Sequence, residues 1–155
     1  LHAPRDPGGD DPEVVHGAAE HLPGLLAESV DIVLANETEA AAFAGTRDPE
    51  AALAVLAGLC DLAVVKLGPE GALLRRGAEQ VHVPAERVAA RDTTGAGDLW
   101  AAGFLYGYLQ NASLSTAGRL GAAVAREVVQ VIGAALPEAT WAALRERLDD
   151  LRKHS

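Results

Sequence analysis

Apolar residues recur along this 155-residue chain with two different periods. Val14, Ala18, Leu22 and Leu26 are spaced as on one helix face, which predicts a helix over residues 13–29 that Pro23 interrupts. Asp31-Ile32-Val33-Leu34-Ala35 is a short, nearly unbroken apolar run, the pattern of a strand buried on both faces. Asn36-Glu37-Thr38-Glu39 follows at once and opens a short helical segment ending near Gly45. Asp48 and Pro49 then mark a further helix start, as N-cap and first-turn residue, and its apolar positions run through Leu53, Leu56 and Leu59. A second buried strand is predicted at Leu62-Ala63-Val64-Val65-Lys66-Leu67. Gly68-Pro69-Glu70-Gly71 reads as a turn, and Ala72-Leu73-Leu74-Arg75 as its hairpin partner. Gln80-Val81-His82-Val83-Pro84 alternates, as a strand nearer an edge does. Helices are predicted from about 97 to 109, from about 115 to 131, and after Pro137, where Trp141, Leu144, Leu148 and Leu151 share a face. Strands alternating with helices imply an α/β domain with a mainly parallel sheet.

Composition narrows the class. Hydrophobic residues make up 49% of the chain, too many for a disordered one, and no apolar run is long enough to cross a membrane. A formal net charge of −9 argues against a nucleic-acid binder, as does an aromatic content of 4% with no interleaved basic and aromatic patch. Cys60 is the only cysteine; it reads as a small buried hydrophobe, excludes an internal disulfide and suggests a cytoplasmic compartment. Residues 1–12, punctuated by Pro and Gly, read as a flexible N-terminal segment, and residues 13–155 as one domain. There is no methionine, so Leu1 is not an ordinary translation start, and the expectation is a fragment or truncated product.

The candidate chemistry lies in Asp92-Thr93-Thr94-Gly95-Ala96-Gly97-Asp98, between a predicted strand and a helix. Side chains as small as those of Gly95, Ala96 and Gly97 let a phosphate approach the backbone, where amides at a helix start form an anion cradle. Asp98, in the first helical turn, can either cap the helix or take the proton of an attacking hydroxyl. Two other phosphate motifs are excluded. A dinucleotide fingerprint needs a small residue where Trp100 stands, and a P-loop needs a lysine after glycine, which neither Lys66 nor Lys153 is. His16 and His21 are spaced so as not to share a helix face, His82 is expected to be exposed, and Arg75-Arg76 is expected to be a solvated hairpin feature.

The turn and its continuation through Leu105 resemble the C-terminal signature of the PfkB, or ribokinase-like, carbohydrate and nucleoside kinases. The resemblance implies the C-terminal half of a three-layer α/β domain and an ATP-dependent transfer of phosphate to an alcohol of a sugar or nucleoside, most plausibly adenosine. It makes Asp98 the general base and gives the amides of Gly95, Ala96 and Gly97 the phosphoryl charge to neutralise. Asp92 and Thr94 shape the turn, with Thr94 and Gly97 on the nucleotide side. Asn36-Glu37-Thr38-Glu39 resembles the family's Asn-x-x-Glu motif, which implies Mg2+ and phosphate near Asn36 and Glu39. Lys66-Leu67-Gly68-Pro69-Glu70-Gly71 resembles its nucleotide-side turn; Lys66 reaches a phosphate or ends its strand in solvent, and Gly68 and Gly71 allow backbone approach. Gly121, Ala122, Ala123 and Ala125 either leave room for a flat adenine or pack two helices closely, and Gly133-Ala134 resembles a glycine-alanine pair that follows that helix. No counterpart of the family's N-terminal Gly-Gly sugar-site motif is found, and a sheet without its early strands would expose an edge open to self-association.

Overall fold

In the computed structural model, which describes residues 12–133 and 135–153, the apolar runs are strands and the helical-period stretches are helices. The order is α1 (Pro12–Ser29), β1 (Ile32–Asn36), α2 (Glu37–Ala44), α3 (Pro49–Ala57), β2 (Leu62–Lys66), a single 3-10 turn (Gly68–Glu70), β3 (Ala72–Arg76), β4 (Glu79–Val83), α4 (Ala96–Leu109), α5 (Leu114–Val128) and α6 (Glu138–Lys153). The flexible segment expected over residues 1–12 lies outside the described residues apart from Pro12, and so do the side chains of Val14, His16 and Ala18. α1 runs on through Pro23, against the interruption expected there, and Leu26 in its second half is buried in the core. Leu26 anchors that half to the core, while its neighbours at 21–25 and 27–29 are exposed.

The four strands lie in the order β1-β2-β3-β4. β1 and β2 are parallel, with Ile32 beside Leu62 and Asn36 beside Lys66. β2–β3 and β3–β4 are antiparallel, which corrects the expectation of a mainly parallel sheet. The connections decide this. A parallel return needs a crossover of about a dozen residues or more, available between β1 and β2 through α2 and α3. The short turns at Gly68–Glu70 and Gly77 can only reverse the chain.

β2 is buried along both faces, and its side chains alternate between two layers of helices. Leu62 and Val64 join Leu74 and Val83 against Trp100, Phe104 and Leu114 of α4 and α5. Ala63 and Val65 join Ala35 and Leu73 against Leu26, Ala40, Leu53 and Leu56 of α1, α2 and α3. The domain is therefore three-layered, with α6 packed outside α5 through Leu120, Val124, Leu144 and Leu148. β1 and β4 form the edges among the described strands. Cys60 is half-buried, its thiol against the Leu56 and Leu62 carbonyls, and burial pushes its pKa up, as suits an inert cysteine.

Helix starts follow from their capping residues. Asp48 accepts the Glu50 amide at 3.1 Å ahead of Pro49, and Ser113 accepts the Thr116 amide at 3.2 Å, starting α5 one residue before the sequence pattern suggests. α4 and α5 approach very closely. A Cβ on Gly103 would lie 2.7 Å from Val124 Cγ2, and one on Gly121 would lie 2.8 Å from the Trp100 carbonyl. Gly121 thus serves packing against α4, while Ala122 is buried in the core beside the sheet and Ala123 in that beside α6. Along α4, Trp100, Phe104 and Tyr108 stack at successive helical turns, with ring centroids 5.4 and 5.9 Å apart.

Gly121→Ala is expected to destabilise the protein by about 1–3 kcal/mol through overpacking. Ala102→Ser, on the exposed side of α4, should stay within about 0.5 kcal/mol of wild type. Urea unfolding of both variants checks the difference.

Candidate active site

The parallel pairing of β1 and β2 brings separate parts of the sequence to one end of the sheet. Asn36 ends β1 beside Lys66, which ends β2. The Lys66 side chain, half-buried, carries its ammonium to 3.4 Å from the Gly97 carbonyl in the first turn of α4. A Cβ at Gly97 would come within 3.2 Å of that ammonium. The carboxyl ends of parallel strands and the N-terminus of α4 therefore meet, as they do where open α/β sheets bind ligands.

Gly95 precedes α4 with φ 73°, a left-handed conformation that glycine adopts without strain. The turn spends some of its donors internally: the Thr94 amide donates to Asp92 Oδ1 at 2.9 Å, and the Ala96 amide to the Thr93 carbonyl at 3.1 Å. Among the described residues the amides of Gly95, Gly97 and Asp98 have no such acceptor. The amides left without an acceptor thus differ from the expected set at a single position, with that of Asp98 in place of that of Ala96. Unsatisfied amides at a helix start attract an anion.

Asp98 is exposed, and α4 has no side-chain cap. Of the two roles open to Asp98 from sequence, capping is the one it does not perform. Its carboxylate has no hydrogen bond or ion pair among the described residues. Lys66 is also without a carboxylate partner there. A cation at the positive end of a helix dipole is electrostatically unfavourable unless an anion joins them.

Asn36 and Glu39 form a reciprocal capping box on α2: Asn36 Oδ1 accepts the Glu39 amide, and Glu39 Oε2 accepts the Asn36 amide, each at 2.8 Å. This leaves the second oxygen of Glu39 without a hydrogen bond among the described residues. No group of three or more His, Cys, Asp or Glu suited to a metal occurs among the described residues. Such a sparse set does not enclose an ion, but it fits Mg2+, which keeps most of its waters and takes one or two carboxylates together with substrate phosphates.

The two glycines after β2 differ. Gly68, at φ 57°, is exposed with open space around it. Gly71 is buried, and a Cβ there would lie 2.0 Å from the Val83 carbonyl; the backbone it admits is that of β4. A cleft of about 560 Å3 lined by Ser29, Asp31, Cys60 and Asp61 lies at the opposite, amino end of β1 and β2, away from these residues.

Sequence reasoning missed the partner of Asp92. Its Oδ2 accepts the Gly133 amide at 2.8 Å, while the amides of Arg91 and Asp92 donate to the Val129 carbonyl at 2.7 and 3.3 Å. The one signal in the sequence is Gly133 itself, a glycine after a helix, which has φ 76°. Ala134, paired with it in the sequence motif, lies outside the described residues. The Thr94 amide, then the Gly133 amide and the Thr94 hydroxyl, pull the Asp92 pKa down to about 2. The native value lies below the unfolded one of about 3.9, so the carboxylate's contribution to stability is complete above that pH. It is lost as the pH falls through about 2. Wild type should consequently lose more stability than Asp92→Asn between about pH 4 and pH 2 in urea titrations at each pH. Parallel decline of the two would contradict the assignment.

Known proteins are similar to this chain in sequence and in fold. The family described as pfkB family carbohydrate kinase matches residues 5–141. Adenosine kinase from Sinorhizobium meliloti is 42% identical with a TM-score of 0.78, over 88% of this chain and 42% of that one. A probable sugar kinase from Rhizobium etli CFN 42 is 40% identical with a TM-score of 0.77, over 89% of this chain and 43% of that one. Cytidine kinase from Thermococcus kodakarensis is 36% identical over 111 residues, 70% of this chain and 40% of that protein. The chain spans about two fifths of the length of each. With the turn, the three-layer fold and these matches together, the chain belongs to the pfkB family of carbohydrate kinases.

Proposed function

We propose that the protein carries the phosphoryl-transfer side of an ATP-dependent kinase that acts on an alcohol of a sugar or nucleoside, adenosine foremost. The observation that carries this reading is the pairing of an uncapped helix start with a carboxylate that has no structural partner: the amides of Gly95, Gly97 and Asp98, and the Asp98 side chain beside them. Asp98 accepts the proton of the acceptor hydroxyl as its oxygen forms a bond to the γ-phosphorus, and ADP leaves. The three amides and Lys66 offset charge on the transferring group, and they are oriented before it arrives. Thr94 and Gly68 border the same end of the sheet and belong to the nucleotide side of the site. Glu39, held by Asn36, is the carboxylate that would share Mg2+ with the phosphates, where the ion neutralises phosphate charge. Adenosine is preferred because a relative so named is 42% identical over most of this chain.

A second reading is a nucleotide-binding module without turnover. It rests on the match to about two fifths of each relative, since phosphoryl transfer also needs the acceptor held in line. ADP formation from ATP and Mg2+ with adenosine, cytidine and ribose separates the two. The kinase reading expects turnover with at least one acceptor, and Asp98→Asn should lower kcat by about 10^2–10^4 with ATP affinity nearly unchanged. ATP binding without turnover above the Asp98→Asn level would leave the binding module.

A further inference from the structure

The turn Gly68–Glu70 after β2 closes on itself through two short-range bonds. The Glu70 amide donates to the Leu67 carbonyl at 3.2 Å, and the Gly71 amide to the Gly68 carbonyl at 3.1 Å. The Gly68 amide has no acceptor among the described residues, so the turn retains an unspent donor two residues beyond Lys66. A third bond comes from outside the turn. His82 of β4, exposed and opposite Leu73 of β3, brings its ring Nε2 to 2.9 Å from the Glu70 carbonyl oxygen. A carbonyl can only accept, so this nitrogen must carry the proton, and neutral His82 is the Nε2–H tautomer.

The place of that bond matters. The Glu70–Gly71 peptide is planar, so the Glu70 carbonyl and the Gly71 N–H turn together. His82 holds one edge of the plane, and the Gly68 carbonyl holds the other. Gly71 has φ 99° and ψ −130°, a backbone in which glycine rotates freely and leaves the preceding peptide soft. No stiffer residue can stand there, because a Cβ at Gly71 would lie 2.0 Å from the Val83 carbonyl. A peptide that soft is fixed by its bonds. One such bond shifts an equilibrium by about two- to tenfold, too little to decide the fold but enough to select one turn conformation.

We propose that His82 is a positioning residue for the nucleotide side of the site: its Nε2–H holds the Glu70–Gly71 peptide and thereby sets the orientation in which Gly68 meets the nucleotide. The functional consequence rests on the phosphoryl-transfer reading; the hold on the turn does not. His82 touches no phosphate in this role and acts only through the turn.

The test compares wild type, His82→Leu and His82→Gln as full chains at pH 8, where an ordinary imidazole is neutral. The ring 15N shifts of wild-type His82 should show the Nε2–H tautomer; a predominant Nδ1–H tautomer cannot donate to Glu70 and would overturn the proposal. In His82→Leu, amide exchange at Gly71 should quicken by about two- to tenfold, and MgATP should bind weaker by a similar factor. His82→Gln, whose side-chain amide can donate to the same carbonyl, should recover most of each loss. Val64, in the middle of β2, should keep its wild-type exchange rate in both variants. Unchanged exchange at Gly71, or equal quickening at Val64, would sink the idea. Quickened exchange at Gly71 with wild-type MgATP affinity would also overturn it, leaving His82 a purely structural contact. Should wild type bind no MgATP, the phosphoryl-transfer reading fails by itself, and the positioning role falls with it. The tautomer and the exchange at Gly71 would still decide whether His82 holds the turn.

Discussion

The complete burial of β2 between two helical layers is the constraint on which the rest of the structure depends. Leu62, Ala63, Val64 and Val65 are each 0% exposed, with Leu62 and Val64 facing α4 and α5 and the other two facing α1, α2 and α3. A strand held on both faces cannot slip by one residue without exchanging its whole apolar set between layers. Its exit point is therefore fixed, and that exit is Lys66. The parallel register then fixes Asn36 beside it, because β1 is paired with β2 along its full length. From these two strand ends the site is assembled.

The other half of the site is a helix start, and its placement also comes from packing. Gly103, Gly107 and Gly121 let α4 and α5 lie closer than any side chain there would permit, while Trp100 and Phe104 of α4 fill the core against the sheet. With α4 held so tightly, its first turn stays near Lys66, and beyond the left-handed Gly95 the amides of Gly97 and Asp98 are left unspent. Stability and chemistry thus divide along this helix: its middle serves the core, and its exposed first turn carries Asp98.

Much of this can be read from the sequence, for definite reasons. The apolar runs at Ile32 and Leu62 had to be buried strands, and Asp48-Pro49 had to start a helix, because each pattern has a local cause. The Gly-rich turn before α4 was equally plain. What escaped was everything decided by distant partners. The reversal from β2 to β3 was legible in the turn after Lys66, but the burial of Gly71 turned on the backbone of β4. The stripe at Gly121, Ala122 and Ala123 has the same composition whether it borders a ligand or another helix. The Ala96 amide is spent on Thr93 by a detail of turn geometry, and Asp92 meets Gly133 through a fold that no local pattern encodes.

The central claim is that an anionic nucleotide binds where the carboxyl ends of β1 and β2 meet the start of α4. Backbone amide chemical shifts followed during a titration with MgATP test it most directly. The account predicts that the largest changes fall on residues 94–98, Lys66 and Gly68, with little at the opposite end of the sheet. Changes centred instead on the cleft formed by residues 27–31 and 58–61 would contradict it.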